Sequence, residues 1–171
     1  MSHIAVIITD MFEDSEYTEP AQVFRDAGHT LEHIGLKAGE TVHGKKENTA
    51  VTIDKSVSEV SVAQFDALLI PGGYSPDKLR VDEAAVEFAG NFVRSGKPVF
   101  AICHAPQLLI TANAIRGRSV TGYASIRQDI INAGAQFLDQ EVVQDGNLVS
   151  SRTPDDLPAF TRTALNLLEH T

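Results

Sequence analysis

A short apolar strand that runs directly into a helix, with the only cysteine of the chain at the junction, most constrains how this chain folds. The strand is predicted at Val99–Ile102 and follows Gly96–Pro98, as is typical of a buried strand in a parallel sheet. The helix is predicted to begin near His104, because Pro106 suits a first helical turn, where a missing N–H group costs nothing. Cys103 therefore lies at a sharp strand-to-helix turn, the position of the nucleophile in a nucleophile elbow.

The position of Cys103 predicts a reactive thiol, although a lone cysteine after an apolar run is also a common small core residue. Free backbone N–H groups and the positive end of a helix dipole would favour the thiolate over the thiol. A second glycine-rich turn, Pro71–Gly73, ends another apolar strand. Because ligands bind beyond the carboxyl ends of parallel strands, we expect the two strand ends to contribute to one site.

Apolar runs and turn residues predict strands and helices that alternate along the whole chain. The predicted strands are His3–Thr9, Thr30–Gly35, Asp66–Ile70, Val99–Ile102, Ser119–Gly122 and Leu148–Ser150, and the predicted helices are Tyr17–Ala27, Asp82–Arg94, His104–Asn113, Ser125–Ala133 and a last helix that opens at Thr153–Asp156. A hairpin of Thr41–His43 and Val51–Ile53 is expected on the edge of the sheet. The alternation predicts one α/β domain over residues 1–171, with a mostly parallel central sheet and helices on both faces.

Size, charge and cysteine usage exclude several classes of protein. The 171 residues suffice for one domain with a sizeable core. No apolar run approaches the roughly 18 residues that span a bilayer, and the first apolar run is predicted to be a strand rather than a signal peptide. One cysteine excludes an internal disulfide, which together with the lack of an export signal predicts a cytoplasmic protein. The net charge of −9 argues against a membrane surface or a stable nucleic-acid complex as partner.

Acidic residues and glycines are predicted at the strand ends that surround the thiol. The segment after the first strand carries Glu13, Asp14 and Glu16, which form either a solvated surface loop or a cover in which one carboxyl stays protonated and donates to the thiolate. Gly72 and Gly73 form either a plain turn or a close backbone approach that leaves N–H groups free for an oxyanion.

His104, the immediate neighbour of the thiol, either points to solvent or reaches the sulfur as a general base or acid. In the second case a carboxylate partner is expected, and Asp77 is the nearest candidate along the chain. No cysteine cluster or histidine pair predicts a metal site. No glycine-rich phosphate-binding loop is present either, so no cofactor is predicted.

Several segments of the chain together carry a family resemblance. They are Glu13-Asp-Ser-Glu16, Asp66-Ala-Leu-Leu-Ile-Pro-Gly-Gly73, Ser75-Pro-Asp77, Lys97-Pro-Val-Phe-Ala-Ile-Cys-His104, Ile131-Asn-Ala-Gly134 and Ser151-Arg-Thr-Pro-Asp-Asp156. In this combination the chain resembles the ThiJ/PfpI superfamily, and within it the PfpI-type stress proteins and deglycases. The similarity extends over essentially the whole chain.

The resemblance implies a flavodoxin-like three-layer sandwich of the kind found in class I glutamine amidotransferases. It also implies a homo-oligomer, either a dimer or a hexamer built from dimers. Cys103 is implied to be the nucleophile, and Glu16 the buried acid that lies on the thiol.

The remaining site residues are also implied by the resemblance. His104 is the companion histidine, and Asp77 occupies the position whose carboxylate pairs with that histidine, commonly from a neighbouring subunit. The N–H groups of Gly73 and His104 would form the oxyanion hole, and Tyr123 would be a further pocket residue. Ala105 departs from the family pattern, which usually has glycine at this position of the elbow.

The implied activity is that of a cysteine-dependent stress-response hydrolase. Such an enzyme removes glyoxal and methylglyoxal adducts from proteins and nucleotides, and shows glyoxalase-like activity on small free dicarbonyls. Two alternatives remain open at this point. One is an intracellular cysteine peptidase or amidase, and the other is a redox-sensing holdase whose thiol is readily oxidised.

Overall fold

The computed structural model describes all 171 residues, which form eleven strands and six α-helices. The strands are β1 (His3–Ile7), β2 (Thr30–Gly35), β3 (Thr41–His43), β4 (Ala50–Thr52), β5 (Lys55–Ser56), β6 (Ala67–Ile70), β7 (Val99–Ile102), β8 (Ser119–Val120), β9 (Gln136–Phe137), β10 (Val143–Asp145) and β11 (Leu148–Ser151). The helices are α1 (Asp14–Asp26), α2 (Ser75–Leu79), α3 (Glu83–Arg94), α4 (Pro106–Thr111), α5 (Arg127–Asn132) and α6 (Leu157–Glu169).

Seven strands form the main sheet in the order β10-β11-β7-β6-β1-β2-β5. All neighbouring strands are parallel except β10, which pairs antiparallel with β11 in a hairpin. The five central strands follow the flavodoxin-like order, in which the direction of winding reverses between β1 and β6. The predicted flavodoxin-like α/β fold is therefore confirmed.

The two faces of the sheet carry separate apolar clusters, which makes the fold three-layered. Alternate residues of β1 divide between them: Ile4 and Val6 belong to one cluster, and Ala5 and Ile7 to the other, as the two-residue period of a strand requires. Helices α1 and α6 contribute residues to the first cluster, and α3, α4 and α5 to the second. Because both faces are covered, the central strands are apolar throughout rather than alternating.

Helix α1 begins at Asp14, whereas the sequence predicted a start at Tyr17 and a loop that carried the acidic residues. Glu13 is the N-cap residue, and Asp14 and Glu16 lie in the first turn, where negative charge interacts favourably with the helix dipole. The acidic run therefore belongs to the start of a helix rather than to a solvated loop. As a consequence, Glu16 projects from the first turn of helix α1 rather than from a loop.

The β3–β4 hairpin forms a two-stranded sheet of its own, so its predicted place on the edge of the main sheet is wrong. The short strand β5 occupies that edge. The hairpin instead buries Val42 and Val51 in the α1 side of the core. Its turn is fixed by the Asp14 carboxylate, which accepts hydrogen bonds from the N–H groups of Lys46 at 2.9 Å and Thr49 at 3.1 Å.

Three smaller differences concern short elements. Helix α2 was missed because five residues carry too little periodicity. The elbow helix α4 has only six residues and is shorter than predicted, and β8 pairs with β9 outside the main sheet.

No helix of the protein is sufficiently long and apolar to cross a membrane.

Candidate active site

The loops that follow β1, β6 and β7 meet at the carboxyl edge of the sheet, beside the point where the winding reverses. Phe12, after β1, forms a bridge with Gly73, after β6. The Tyr74 N–H group also donates to the Met11 carbonyl at 2.8 Å. Cys103 immediately follows β7. This edge is where flavodoxin-like folds bind ligands.

Cys103 occupies a left-handed backbone conformation with a φ of 64°. A non-glycine residue there is strained, and such strain is frequently found at catalytic positions. Its N–H group donates to the Ser151 carbonyl at 3.0 Å, which ties the elbow to β11. The residue is only 7% exposed, yet it borders a cavity of ≈ 430 Å³ lined by Glu13, Lys45, Lys46, Gly73, Tyr74, Cys103, His104, Tyr123 and Pro154.

Glu16 is completely buried and lies against the elbow. Its Oε1 atom accepts a hydrogen bond from the Gly72 N–H group at 2.9 Å. Its Oε2 atom is buried and has no hydrogen-bond partner. Burial, together with the negative charge of Glu13, raises the pKa of Glu16 to about 8. Glu16 therefore keeps its proton at neutral pH.

Burial raises the pKa of Cys103, and a negative charge on Glu16 would raise it further. The N–H groups of Gly73 and His104 act in the opposite direction. The expectation that bare amides and a helix dipole make the thiolate the resting form is therefore wrong. The physical reason is desolvation of the sulfur, the largest cause of the raised pKa, which the two N–H groups oppose. Ionisation of Cys103 needs a base.

Gly72 and Gly73 permit the close approach between the β6 loop and its neighbours. A Cβ atom at residue 72 would collide with the Glu16 carboxyl and lie 2.9 Å from the Cys103 Cβ. Gly73 has a φ of 79°, and a Cβ there would collide with the backbone between Met11 and Glu13. Neither the Gly73 nor the His104 N–H group forms a backbone hydrogen bond, so both are free to face the sulfur.

His104 reaches the sulfur with one ring nitrogen. Its Nδ1 atom lies 3.3 Å from Cys103 Sγ, and Nε2 lies 3.2 Å from Ser125 Oγ. The Tyr123 ring stacks on the imidazole with 4.9 Å between centroids. Burial lowers the pKa of His104, and so does the positive charge of Lys45. The imidazole is therefore neutral at neutral pH and can accept the thiol proton.

Asp77 lies on α2 and is exposed. Within one chain it forms no hydrogen bond with His104, whose outer nitrogen faces the Ser125 hydroxyl instead. Its negative charge nevertheless raises the pKa of His104, so it acts on the imidazole through space. A pairing of Asp77 with the histidine of a neighbouring subunit stays a prediction.

The structure adds residues that sequence reasoning did not select. Lys45, Lys46, Tyr74 and Pro154 line the cavity, and Ser125 contacts the imidazole. The two lysines had a signal in the sequence, because they are adjacent cations at a hairpin turn of an acidic chain. Nothing local distinguished the other three.

Ala105, the N-cap residue of α4, has helical backbone angles, with a φ of −53°, and is completely buried. Alanine is unstrained at this backbone conformation, so the departure from glycine leaves the elbow geometry intact.

No group of three or more His, Cys, Asp or Glu side chains is arranged to hold a metal ion.

Comparison with known proteins agrees with this geometry. The model of the DJ-1/PfpI family matches residues 2–167. The chain is 63% identical to Protein/nucleic acid deglycase 2 of Escherichia coli, with 96% of each chain covered. It is 58% identical to General stress protein 18 of Bacillus subtilis, with 97% of each covered, and 55% identical to a protein of the same organism named "Putative cysteine protease YraA", with 97% and 98% covered.

Among solved structures, a two-domain protein of Anabaena variabilis contains a DJ-1/ThiJ/PfpI-like domain and a ferritin-like domain. It superposes on this chain with a TM-score of 0.96 at 37% identity, over 99% of this chain and 48% of that one. DJ-1beta of Drosophila melanogaster superposes with a TM-score of 0.84 at 30% identity, over 98% and 91% of the two chains.

Proposed function

Because the chain belongs to the DJ-1/PfpI family, we propose that it is a cysteine-dependent hydrolase that removes glyoxal and methylglyoxal adducts from the amino groups of proteins and nucleotides. The name of the 63% identical relative supports this activity. The observation that carries it is the contact of 3.3 Å between Cys103 Sγ and a neutral His104 Nδ1, next to a carboxyl that stays protonated at neutral pH. We propose Cys103, His104 and Glu16 as the catalytic residues.

The first step is an exchange of the amine for the thiol. His104 accepts the thiol proton as Sγ bonds to the hemiaminal carbon, and the same proton goes to the departing nitrogen as the carbon–nitrogen bond breaks. For a free dicarbonyl, Sγ adds to the aldehyde carbon, and the resulting alkoxide takes the proton from His104. The N–H groups of Gly73 and His104 would stabilise the charge on oxygen. Both substrates give the same hemithioacetal.

The second step converts the hemithioacetal to a thioester of a 2-hydroxy acid. The proton on the carbon that bears sulfur moves to the neighbouring carbonyl carbon, and the hydroxyl proton of the first carbon moves to the neighbouring oxygen. One carbon is thus oxidised and the other reduced without an external oxidant. His104, which is neutral at neutral pH, would carry the carbon-bound proton. Glu16 keeps its own proton and has an Oε2 atom free of other hydrogen bonds, so it would give a proton to the neighbouring oxygen and take up the hydroxyl proton. Water then hydrolyses the thioester, which releases the hydroxy acid and restores the thiol.

Substitution of Cys103 by serine tests the proposal. Methylglyoxal turnover and release of amine from a methylglyoxal adduct of N-acetyl-lysine should both disappear in Cys103→Ser, while the thermal unfolding curve stays that of a folded protein. Equal turnover in the variant would contradict the proposal.

A second candidate is a cysteine peptidase, favoured by the name of the 55% identical relative and by the contact between Cys103 and His104. Peptide hydrolysis needs room for an extended chain beyond the thiol. Sustained cleavage of unfolded casein that is lost in Cys103→Ser would favour the peptidase over the deglycase. The redox-sensing alternative is less favoured, because burial raises the pKa of the thiol and the thiolate is the readily oxidised form.

We further propose a cytoplasmic homo-oligomer that acts in a stress response, including the repair of glycated DNA precursors. The single free cysteine suits a reducing compartment, and a 58% identical relative is named a general stress protein. In this proposal Asp77, exposed on α2, faces the site of an adjacent subunit, and Tyr123, Gly72 and Glu13 line or shape the pocket. Light scattering would give the number of subunits.

A further inference from the structure

Lys45 brings an ammonium group without a hydrogen-bond partner into the catalytic cavity. Its side chain is only 25% exposed, and its Nζ atom forms no hydrogen bond. The nearest carboxylate oxygen is Glu13 Oε1 at 4.0 Å, and the Tyr74 ring centroid lies 5.0 Å away. A lysine in this position has its charge available to a ligand.

Among the side chains that line the cavity, two ammonium groups face one carboxylate. Lys46 pairs with Glu13 Oε1 at 3.0 Å, which uses the only ionised carboxylate of the cavity lining. Glu16 retains its proton and His104 is neutral at neutral pH. Lys45 makes the longer contact with that carboxylate, at 4.0 Å, so its charge is the more available of the two.

The backbone holds Lys45 in this place. Its N–H group donates to the Phe12 carbonyl at 2.9 Å, which joins the hairpin turn to the loop after β1. The Asp14 carboxylate accepts two further N–H groups of the turn. A side chain at Gly44 would collide with that carboxylate. The lysine is thus presented by a fixed turn, next to the segment that carries Glu13 and Glu16.

From this arrangement we infer that Lys45 forms a carboxylate subsite in the catalytic cavity, which binds the small 2-hydroxy acid released by the reaction. The identity of the acid rests on the proposed function. Earlier in the cycle the same ammonium would donate to the second carbonyl oxygen of the dicarbonyl unit, since that unit becomes the hydroxy acid. A monoanion fits best, because a dianion would bring its second charge against Glu13.

Direct binding to the full-length, folded protein tests the inference without turnover. Lactate is titrated into the wild-type protein and into Lys45→Met, Lys45→Arg and Lys37→Met, and binding is followed by NMR chemical-shift changes. Lys37→Met is the matched control, because it removes the same charge from an exposed residue that does not line the cavity. Lactamide, the neutral analogue of lactate, is titrated in parallel.

We expect Lys45→Met to weaken lactate binding by about tenfold or more, the effect of one charge-assisted hydrogen bond. Lys45→Arg should retain most of the binding, and Lys37→Met should bind like the wild type. Lactamide should bind more weakly than lactate to the wild type. Lys45→Met should bind lactate and lactamide equally well. Equal lactate binding by wild type and Lys45→Met, or equal binding of lactate and lactamide by the wild type, would overturn the inference.

The outcome separates this inference from the proposed function. Lactate binding that depends on Lys45 in a protein without methylglyoxal turnover would support the subsite and remove the proposed reaction. Turnover by the wild type, with lactate binding that ignores Lys45, would support the reaction and remove the subsite.

Discussion

The Nδ1 atom of His104 lies 3.3 Å from the sulfur of Cys103, although adjacent side chains of an extended strand point to opposite faces. The contact exists because Cys103 leaves β7 in a left-handed conformation, with a φ of 64°. One strained residue thus ends the strand and brings nucleophile and base together.

Relief of the strain at residue 103 should be measurable in variants that lack the thiol. Replacement of alanine by glycine ordinarily costs stability through the unfolded chain, but a positive φ reverses part of that cost. Because the strain is worth about 1 kcal/mol or more, Cys103→Gly should be at least as stable as Cys103→Ala. Urea denaturation of both variants checks this, and a Cys103→Gly variant that is clearly less stable would argue against strain at the elbow.

The helical conformation of Ala105 predicts that restoring the family glycine does not improve the enzyme. Ala105→Gly should lower the free energy of unfolding by about 1 kcal/mol, because the buried methyl group is lost and glycine has more conformational freedom in the unfolded chain. The kcat/KM for methylglyoxal should change by less than about twofold, since transition-state contacts are untouched. A large rise in kcat/KM would show that the methyl group obstructs the substrate.

The buried acid should make stability depend on pH in a known direction. Between its ordinary pKa of 4.5 and about 8, Glu16 loses its proton in the unfolded chain but retains it in the folded one. Its contribution to stability is therefore complete below pH 4.5 and is lost as the pH rises through 8. Relative to Glu16→Gln, the wild type should lose up to about 5 kcal/mol over this range.

Denaturation of wild type and Glu16→Gln at several pH values measures this difference. Glu19→Gln is the matched control, because Glu19 is exposed on the same helix and should follow the wild type. Parallel stability curves for wild type and Glu16→Gln would mean that the carboxyl is already ionised at neutral pH.

The acid limb of the pH–rate profile should report the deprotonation of His104. Since burial and the charge of Lys45 lower its pKa, the limb in kcat/KM should lie below pH 6.5. Asp77 raises this pKa through its charge, so Asp77→Asn should move the limb to still lower pH. Glu83→Gln, which removes a carboxylate from the start of α3, serves as the control. An acid limb that is unchanged in Asp77→Asn would show that the charge of Asp77 does not affect the pKa of His104.

Much of the main sheet could be predicted because its strands are marked locally. Four apolar residues between turn signals, as in Ala67–Ile70 and Val99–Ile102, predict a buried parallel strand without reference to the rest of the chain. Short elements lacked such marks. Helix α2 has five residues and strand β5 has two, and both depend on contacts with residues that are distant in the sequence.

The hairpin and the thiol illustrate a different limit. The hairpin was recognised, but its place was not, because that place depends on the pairing of its turn with Asp14. The elbow was also recognised, whereas the raised pKa of Cys103 depends on how completely the sulfur is desolvated. Neither the position of the hairpin nor the pKa of Cys103 can be predicted from a local sequence pattern.

The amino-acid sequence by itself determined the alternation of strands and helices, the elbow at Cys103 and the glycine turn at Gly72–Gly73, because apolar period and backbone conformation are local properties. The family resemblance implied Glu16 as a buried acid on the thiol, whereas only the tertiary structure gave the burial that keeps it protonated. Only the tertiary structure, too, showed that Lys45 projects its charge into the same cavity. These residues belong to separate elements, Glu16 to α1 and Lys45 to the hairpin turn, and the distance between such elements depends on the order of strands in the sheet. Strand order arises from the packing of the whole chain.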